Sequence, residues 1–252
     1  MSPTEIIAAY TTRLGDNALI LGQRLTELVA SGPELEEELA NANFALDYIG
    51  QARMFYTAAA EHEGKGRSED DFAFLRQEHE YRNLLLLEQP NGHFGDTLVR
   101  SVLFESWYLL LLDALVRCSD ARLAEIAARA AKEVKYHLRH GAQWLVRLGD
   151  GTEESHARVQ ASLDALWRYT GEMLEADELD AAMQAEFDGP DLADIATAWR
   201  SNVAALVADA TLVLPQDAGM ARGGKAGRHT EHFGFLLAEM QYLQRSYPGA
   251  TW

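Results

Sequence analysis

Glu133, Tyr136 and His137 nearly form a metal-binding motif in the segment KEVKYHLRH, residues 132–140. Four-helix proteins that hold a di-iron or di-manganese centre use Glu-x-x-His, with the two ligands three residues apart, on two of their helices. Here Tyr136 stands three residues after Glu133, and the histidine follows one position later. Two residues four apart still share a helix face, so this spacing alone does not exclude one metal ligand here.

The second motif of such a centre departs further from the pattern. Asp47 occupies the acidic position, and Gly50 stands three residues later, where the second histidine is expected. Glycine has no side chain with which to bind a metal, and the neighbouring Gln51 is a poor ligand for a redox-active ion. The pattern therefore favours a degenerate dinuclear site over a working one.

Four predicted helices each carry one acidic residue on the face that their apolar periodicity marks as buried: Asp16, Asp47, Glu105 and Glu133. Carboxylates are costly to bury unless they are paired, hydrogen-bonded or bound to metal, so four of them in one bundle need a common explanation. We favour a metal-free hydrogen-bond network over a dinuclear centre, a single residual metal ion or surface positions. The expected counter-charges are Lys132, Lys135, Arg53, Arg139 and His137.

The composition disfavours several classes of partner and compartment. The chain has 252 residues, 48% of them hydrophobic, which is enough for a sizeable core. Its formal net charge of −17 would repel nucleic acid and anionic membrane surfaces. The lone cysteine, Cys118, cannot form an internal disulfide, and neither an export signal nor an apolar stretch of about 20 residues is visible. We therefore expect a cytoplasmic protein that binds neither nucleic acid nor membrane.

Apolar residues recur at steps of three and four along nearly the whole chain, and no alternating pattern indicates a strand. The sequence therefore predicts an all-α protein with a single domain, residues 1–252. Asp96 and Asp191 are the expected N-caps of two helices. The helices are predicted at about 3–30, 34–63, 71–88, 96–117, 118–149, 153–175, 177–186, 192–210 and 230–245.

The segment before the final predicted helix, LVLPQDAGMARGGKAGR, is long and rich in glycine and basic residues. Irregular segments of this length are usually functional or partner-bound, so we interpret it, with the aromatic C-terminal region, as a contact surface. His229 and His232 lie near each other and could serve a metal, although capping by Thr230 explains them better. The predicted contact residues are Gly223, Gly224, Lys225, His229, His232 and Trp252.

Five long motifs follow one another along nearly the whole chain: LGDNALILGQRL, ANFALDYIGQAR, NLLLLEQPNGHFGDT, KEVKYHLRHGAQWLVRLGDGT and HTEHFGFLLAEMQYLQRSYPGATW. In this order they resemble the structural, non-catalytic, ferritin-like subunits of bacterial phenylacetyl-CoA epoxidase, the multicomponent ring-1,2-monooxygenase of aerobic phenylacetate degradation. The resemblance implies a ferritin-like helical bundle with additional C-terminal helices.

The resemblance also implies a place for this chain within an assembly. In that family a homologous catalytic subunit holds the di-iron centre, binds phenylacetyl-CoA and inserts one oxygen atom of O2 to form the ring epoxide. A separate reductase delivers electrons from NADPH through FAD and iron–sulfur groups. The present chain would hold no cofactor and would pair with the catalytic subunit and further subunits in a hetero-oligomer. Contacts between two copies of this chain stay open.

The resemblance and the altered motifs together indicate the positions of a lost metal site: Asp16, Asp47, Gly50, Glu105, Glu133, Tyr136 and His137. The alternative is a divergent di-iron oxidase or oxygenase, active in its own right, that uses Asp16, Asp47, Glu105, Glu133 and His137. The two missing motif histidines favour the first interpretation.

Overall fold

The structure is a computed structural model that describes residues 1–29 and 31–250. All regular structure in these ranges is helical, which confirms the all-α, ferritin-like fold class. Two 3-10 turns, Glu78–Glu80 and Gly224–Ala226, accompany the α-helices. In chain order the α-helices are α1 (Pro3–Thr26), α2 (Leu35–Glu63), α3 (Glu69–Phe74), α4 (Leu85–Glu88), α5 (Phe94–Leu115), α6 (Ala121–Gly149), α7 (Glu153–Trp167), α8 (Gly171–Leu174), α9 (Glu178–Phe187), α10 (Leu192–Asp209), α11 (Glu231–Met240) and α12 (Tyr242–Ser246).

The chain divides into two compact units. The first comprises Met1–Gln89 and Gly223–Trp252, and the second comprises Pro90–Arg222. The first unit is therefore discontinuous in sequence, because the whole second unit lies between its two segments. The single domain predicted for residues 1–252 stays a prediction.

Two long antiparallel helices, α1 and α2, form the first unit's framework. A methyl group on Gly15 would lie 2.6 Å from Cε1 of Tyr56, and one on Gly22 would lie 3.1 Å from Cγ1 of Ile49. Residue numbers rise along α1 as they fall along α2, so the helices run in opposite directions. Glycine at these positions lets the two backbones approach closely.

The buried face of α2 differs from the predicted one. The predicted row of Asn43, Asp47, Gly50 and Met54 is half-buried or exposed. Apolar periodicity misplaces the face because α2 carries apolar side chains on two opposite sides, and the pattern alone does not identify the inner one. The side chains that face the core recur at steps of four and three: Phe44, Tyr48, Gln51, Phe55 and Ala58.

The helix predicted at 71–88 is wrong, since α3, a 3-10 turn and α4 occupy this range. Two backbone N–H groups near the end of this range donate to side chains of α1. Asp16 accepts the N–H of Arg82 at 2.8 Å, and Asn17 accepts that of Leu84 at 2.9 Å. A backbone N–H bonded in this way cannot also bond the i−4 carbonyl, which accounts for the irregular path just before α4.

The long antiparallel helices α5 and α6 form the framework of the second unit. Gly141 of α6 lies against Val102 of α5, where a methyl group would come within 2.9 Å of Cγ2. The buried Trp199 of α10 donates from Nε1 to the carbonyl of Leu103 at 3.0 Å and stacks on Trp167 of α7. The second core is thus assembled from four helices around these indole rings.

Of the two N-cap residues predicted in the second unit, one is confirmed and one is corrected. Asp191 caps α10 by accepting the N–H groups of its first turn, as predicted. His93, rather than Asp96, is the N-cap of α5, and Asp96 instead accepts the N–H of His93 at 2.9 Å. Asp96 therefore acts as the reciprocal member of a capping box. The helix predicted at 153–175 also ends early, at Trp167.

Two glycine-to-alanine variants test the helix packing of the first unit. Gly15→Ala should lower the free energy of unfolding by about 1–3 kcal/mol, because the added methyl group meets the buried Tyr56 ring. Gly50→Ala is the matched control, since a methyl group there meets nothing within 4 Å. It should raise the free energy by about 0.5–1 kcal/mol through helix propensity. Urea unfolding measures both; equal effects would contradict the described packing.

Candidate functional site

Asp16 lies at the centre of a buried polar cluster in the first unit. Its carboxylate is fully buried. The hydroxyl of Tyr56 donates to Oδ1 at 2.7 Å, and the N–H of Arg82 donates to Oδ2 at 2.8 Å. The guanidinium of Arg76 contacts both oxygens, with Nη1 3.2 Å from Oδ2. Each oxygen therefore has two donors, and the positive charge of Arg76 neutralises the carboxylate.

Arg76 is positioned by hydrogen bonds to two backbone carbonyls and by the ring of a neighbouring tyrosine. Its Nε donates to the carbonyl of Phe72 at 2.7 Å, Nη1 donates to that of Glu80 at 3.1 Å, and the guanidinium lies 4.1 Å from the centre of the Tyr81 ring. Gln241 donates to the Tyr81 hydroxyl at 2.9 Å and to the carbonyl of Arg76 at 3.1 Å. The cluster thus joins α1, α2, the segment after α3 and the C-terminal helices.

The electrostatics of this cluster favour a charged Asp16–Arg76 pair with neutral tyrosines beside it. Burial, followed by the charge of Asp16, raises the pKa of Tyr56 well above its ordinary value. Burial likewise raises the pKa of Tyr81. Burial alone would lower the pKa of Arg76, but the adjacent carboxylate outweighs this effect and raises it.

A second buried cluster in the first unit centres on Glu88, which was not a predicted site residue. Its side chain is fully buried and accepts hydrogen bonds from Asn83 Nδ2 at 2.9 Å and from the N–H and hydroxyl of Thr230 at 2.8 and 2.7 Å. Nδ1 of His229 lies 2.5 Å from Oε1. The one available sequence signal was an acid directly after the apolar run Leu84–Leu87.

This cluster corrects the interpretation of the HTEH motif. Thr230 is the N-cap residue of α11, but its hydroxyl donates to Glu88 instead of capping the helix. The side chain of His229 is buried against the same carboxylate, so it lies inside the first unit. His232 is half-buried. The motif fastens the C-terminal segment to α4.

In the second unit, Glu105 of α5 and His137 of α6 face each other. Both are buried, and Oε1 of the carboxylate lies 3.9 Å from Nδ1 of the imidazole. The sequence predicted both positions on the buried faces of their helices, and His137 was an expected counter-charge. Within residues 1–29 and 31–250, no three His, Cys, Asp or Glu side chains converge in a way that could hold a metal ion.

The predicted burial of Asp47 and Glu133 is wrong. Asp47 is half-buried at the flank of α2. Glu133 is also half-buried, and its Oε1 lies 3.4 Å from Nε of Arg129, one helical turn earlier. Tyr136, which stands where the predicted motif would place a histidine, is 53% exposed. Asp16 and Glu105 are buried as predicted, and the convergence of all four acids stays a prediction.

The predicted counter-charges are also largely corrected. Arg53 pairs with Glu69 at the surface, with Nε and Oε1 3.0 Å apart. Arg76, the cation that neutralises Asp16, was missed, because it lies 60 residues away in a segment predicted as regular helix. The remaining expected cations are exposed on α6: Lys132, Lys135 and Arg139.

The glycine-rich segment forms a 3-10 turn in the part that belongs to the first unit. Gly223 and Gly227 have φ values of 152° and 72°, which side chains with a Cβ rarely adopt, and they bracket a 3-10 turn. Gly223 and Gly224 are buried, whereas Lys225 is half-buried. Trp252 lies outside the described residues. The role of this segment as a partner contact stays a prediction.

Comparisons with known proteins extend over nearly the whole chain. A model of the family described as "Phenylacetic acid catabolic protein" matches residues 2–252. The chain is also 48% identical over 246 residues to one of the subunits of the 1,2-phenylacetyl-CoA epoxidase of Escherichia coli (strain K12), and the match covers 98% of this chain and 99% of that protein. No helix in the described ranges is long and apolar enough to cross a membrane.

A double-mutant cycle tests the Asp16–Arg76 pair. Arg76→Met leaves a buried, uncompensated carboxylate and should lower the free energy of unfolding by about 3–5 kcal/mol. Adding Asp16→Asn should recover part of this loss, because the unpaired charge is removed. Arg53→Met, which breaks the exposed pair with Glu69, should cost about 0–1 kcal/mol. Urea unfolding measures these variants and Asp16→Asn alone; additive effects of the Asp16 and Arg76 changes would contradict the pairing.

An alkaline titration tests the environment of Tyr56 and Tyr81. A tyrosine whose pKa is raised by folding contributes stability that is fully present below its ordinary pKa near 10 and is lost as the pH rises above it. After a rapid jump to high pH, these two phenolates should therefore appear only with the slower unfolding phase, and Tyr56→Phe should reduce that phase. Immediate ionisation of all nine tyrosines would contradict this prediction.

Proposed function

Because the chain belongs to the phenylacetic acid catabolic protein family, as the resemblance in its motifs indicated, we propose that it is the structural, non-catalytic subunit of a 1,2-phenylacetyl-CoA epoxidase. In this role it pairs with the homologous catalytic subunit and supports it in aerobic phenylacetate catabolism. The assembly is a hetero-oligomer with further subunits, and its compartment is the cytoplasm.

The hydrogen bonds accepted by Asp16 are the observation that supports a non-catalytic role for this chain. In a carboxylate-bridged centre, the acidic residues must offer their lone pairs to the metal. The Asp16 oxygens accept bonds from Tyr56, Arg82 and Arg76 instead. A cation could bind only after displacing a guanidinium that is itself held by backbone carbonyls. The residues in place therefore do not fit a di-iron site at this position.

The motif positions support the same proposal. Gly50 offers no ligand atom, and Tyr136 is 53% exposed, so neither supplies the missing imidazole. Glu105 and His137 provide one carboxylate and one imidazole, which already lie beside each other. Two such groups are fewer than the ligand set of a dinuclear carboxylate centre. A divergent oxidase that acts in its own right is therefore the weaker candidate.

The proposal assigns the redox groups to other chains of the assembly. The di-iron centre belongs to the catalytic subunit, and the reductase supplies electrons from NADPH through FAD and iron–sulfur groups. This chain contributes a helical body, fastened by its buried polar clusters, on which the catalytic subunit can be held. A subunit of this kind stabilises its partner by mass action, because it binds the folded form alone.

Reconstitution tests the proposed function. Catalytic subunit and reductase should epoxidise phenylacetyl-CoA at least about tenfold more slowly without this chain than with it. Because the chain is proposed to be non-catalytic, its Glu105→Gln/His137→Gln variant should restore the rate to within about twofold, once normal folding and assembly are verified. The chain purified alone from iron-replete cells should hold substoichiometric iron.

Three outcomes would contradict the proposal. A catalytic subunit that reaches full rate without this chain would remove the supporting role. Loss of activity in the folded and assembled double variant would favour an independent oxidase. Stoichiometric iron in the isolated chain, lost in the same variant, would also favour that alternative.

A further inference from the structure

α2 carries a second apolar seam opposite its inner row of Phe44, Tyr48, Gln51 and Phe55. At its C-terminal end the seam reaches α1, where Ile49 lies beside Gly22. Its residues recur at steps of four, three, four and three: Leu35, Leu39, Ala42, Leu46 and Ile49. We refer to these five residues as the outer seam. Leu35, Leu39 and Leu46 are 65%, 57% and 66% exposed, Ile49 is 40% exposed, and Ala42 is half-buried.

The spacing of the outer seam is that of a helix–helix contact. Single exposed leucines are common and need no explanation, but a row at alternating steps of four and three is the heptad pattern of coiled coils. The inner face of α2 shows the same spacing at Phe44, Tyr48, Gln51 and Phe55, where α1 packs. At 100° per residue the two seams lie about 180° apart on the helix. The outer seam extends over about 21 Å, or four turns.

A pocket lies at the C-terminal end of the outer seam. It has a volume of about 360 Å³ and lies between α1, α2 and α3, within the first unit. Ile49 belongs to both the seam and the pocket wall, which also includes Leu19, Tyr56 and Phe74. A pocket of this size beside an apolar row can take one large side chain as an anchor, as in protein interfaces where a few buried residues dominate the affinity.

The acidic side chains around the outer seam indicate that a partner with basic residues would fit this surface. Glu34 and Glu36 are exposed at its N-terminal end, and Asp70 is exposed at the rim of the pocket. Arg53 lies beyond Ile49, but it is already paired with Glu69. A second copy of this chain would bring a matching acidic rim and a net charge of −17, so self-association through this face is opposed by like charges.

We propose that the outer seam is the docking face for an amphipathic helix of a different protein, whose own apolar heptad row is flanked by lysine and arginine. The inference rests on the proposed function, which makes that protein the catalytic subunit of the epoxidase. The partner helix lies along α2 in the manner of a coiled coil, and one of its larger side chains enters the pocket beside Ile49. Its basic flanks lie against Glu34, Glu36 and Asp70.

Co-purification with the co-expressed catalytic subunit tests this surface. Leu39→Glu/Leu46→Glu places two carboxylates in the seam and should weaken association by at least about 100-fold, since each leucine contributes about a tenfold factor or more when buried. Val116→Glu is the matched control, because Val116 is 41% exposed, lies in the second unit and is outside every predicted contact segment. It should bind as the unchanged chain does. Circular dichroism and thermal unfolding verify that both variants fold.

The charge of the partner is tested separately. Glu34→Lys/Glu36→Lys should weaken association by several-fold or more and should reduce its dependence on salt, because attraction to a basic flank becomes repulsion. Tighter binding by this variant would overturn the assigned charge of the partner.

The remaining outcomes separate the docking face from the proposed function. If the unchanged chain and the double-glutamate variant both retain the catalytic subunit, the docking face is wrong and the proposed function stands. If the unchanged chain binds no catalytic subunit, both fail. A homodimer seen by light scattering that Leu39→Glu/Leu46→Glu abolishes, with hetero-association intact, would assign the seam to a second copy and overturn the proposal.

Discussion

A carboxylate without access to water must be neutralised, and this constraint organises the first unit. Arg76 neutralises Asp16, and the hydroxyl of Tyr56 and the backbone N–H of Arg82 donate further hydrogen bonds to the same carboxylate. The surroundings are apolar, so removing either charge would leave the other buried and unpaired, which lowers the free energy of unfolding strongly. The intact pair avoids this cost. The helices around Asp16 are therefore held in the one arrangement that brings these groups together.

The same constraint shapes the backbone between α3 and α4. The backbone N–H groups of Arg82 and Leu84 donate to side chains of α1, which fixes the irregular path just before α4. The irregular path positions Glu88, and that second buried acid then captures His229 and Thr230 from the far end of the chain. Each buried acid thus joins segments that are distant in sequence, and these polar contacts add to the apolar packing of the first unit.

Periodicity and capping predicted much of this architecture. The ends of α2, α6 and α10 lie close to their expected positions, and Asp191 is the expected cap, because these features are local in sequence. The partner of Asp16 was not predictable, since a guanidinium 60 residues away leaves no periodic signal. The buried face of α2 was predicted wrongly, because a helix with apolar rows on two opposite sides has no single hydrophobic direction that identifies its inner face. Sequence could therefore predict the buried positions of Asp16, Glu105 and His137, but not the half-buried state of Asp47 and Glu133.

The discontinuous first unit also sets the order of events on the ribosome. Glu88 is synthesised 141 residues before His229, and at 5–20 residues per second this interval is roughly 7–28 s. During that time α1 and α2 have emerged without the segment that closes over Glu88, so the carboxylate must stay hydrated and the unit incomplete. The second unit is translated entirely within the interval, so native closure of the first unit can only follow synthesis of the second.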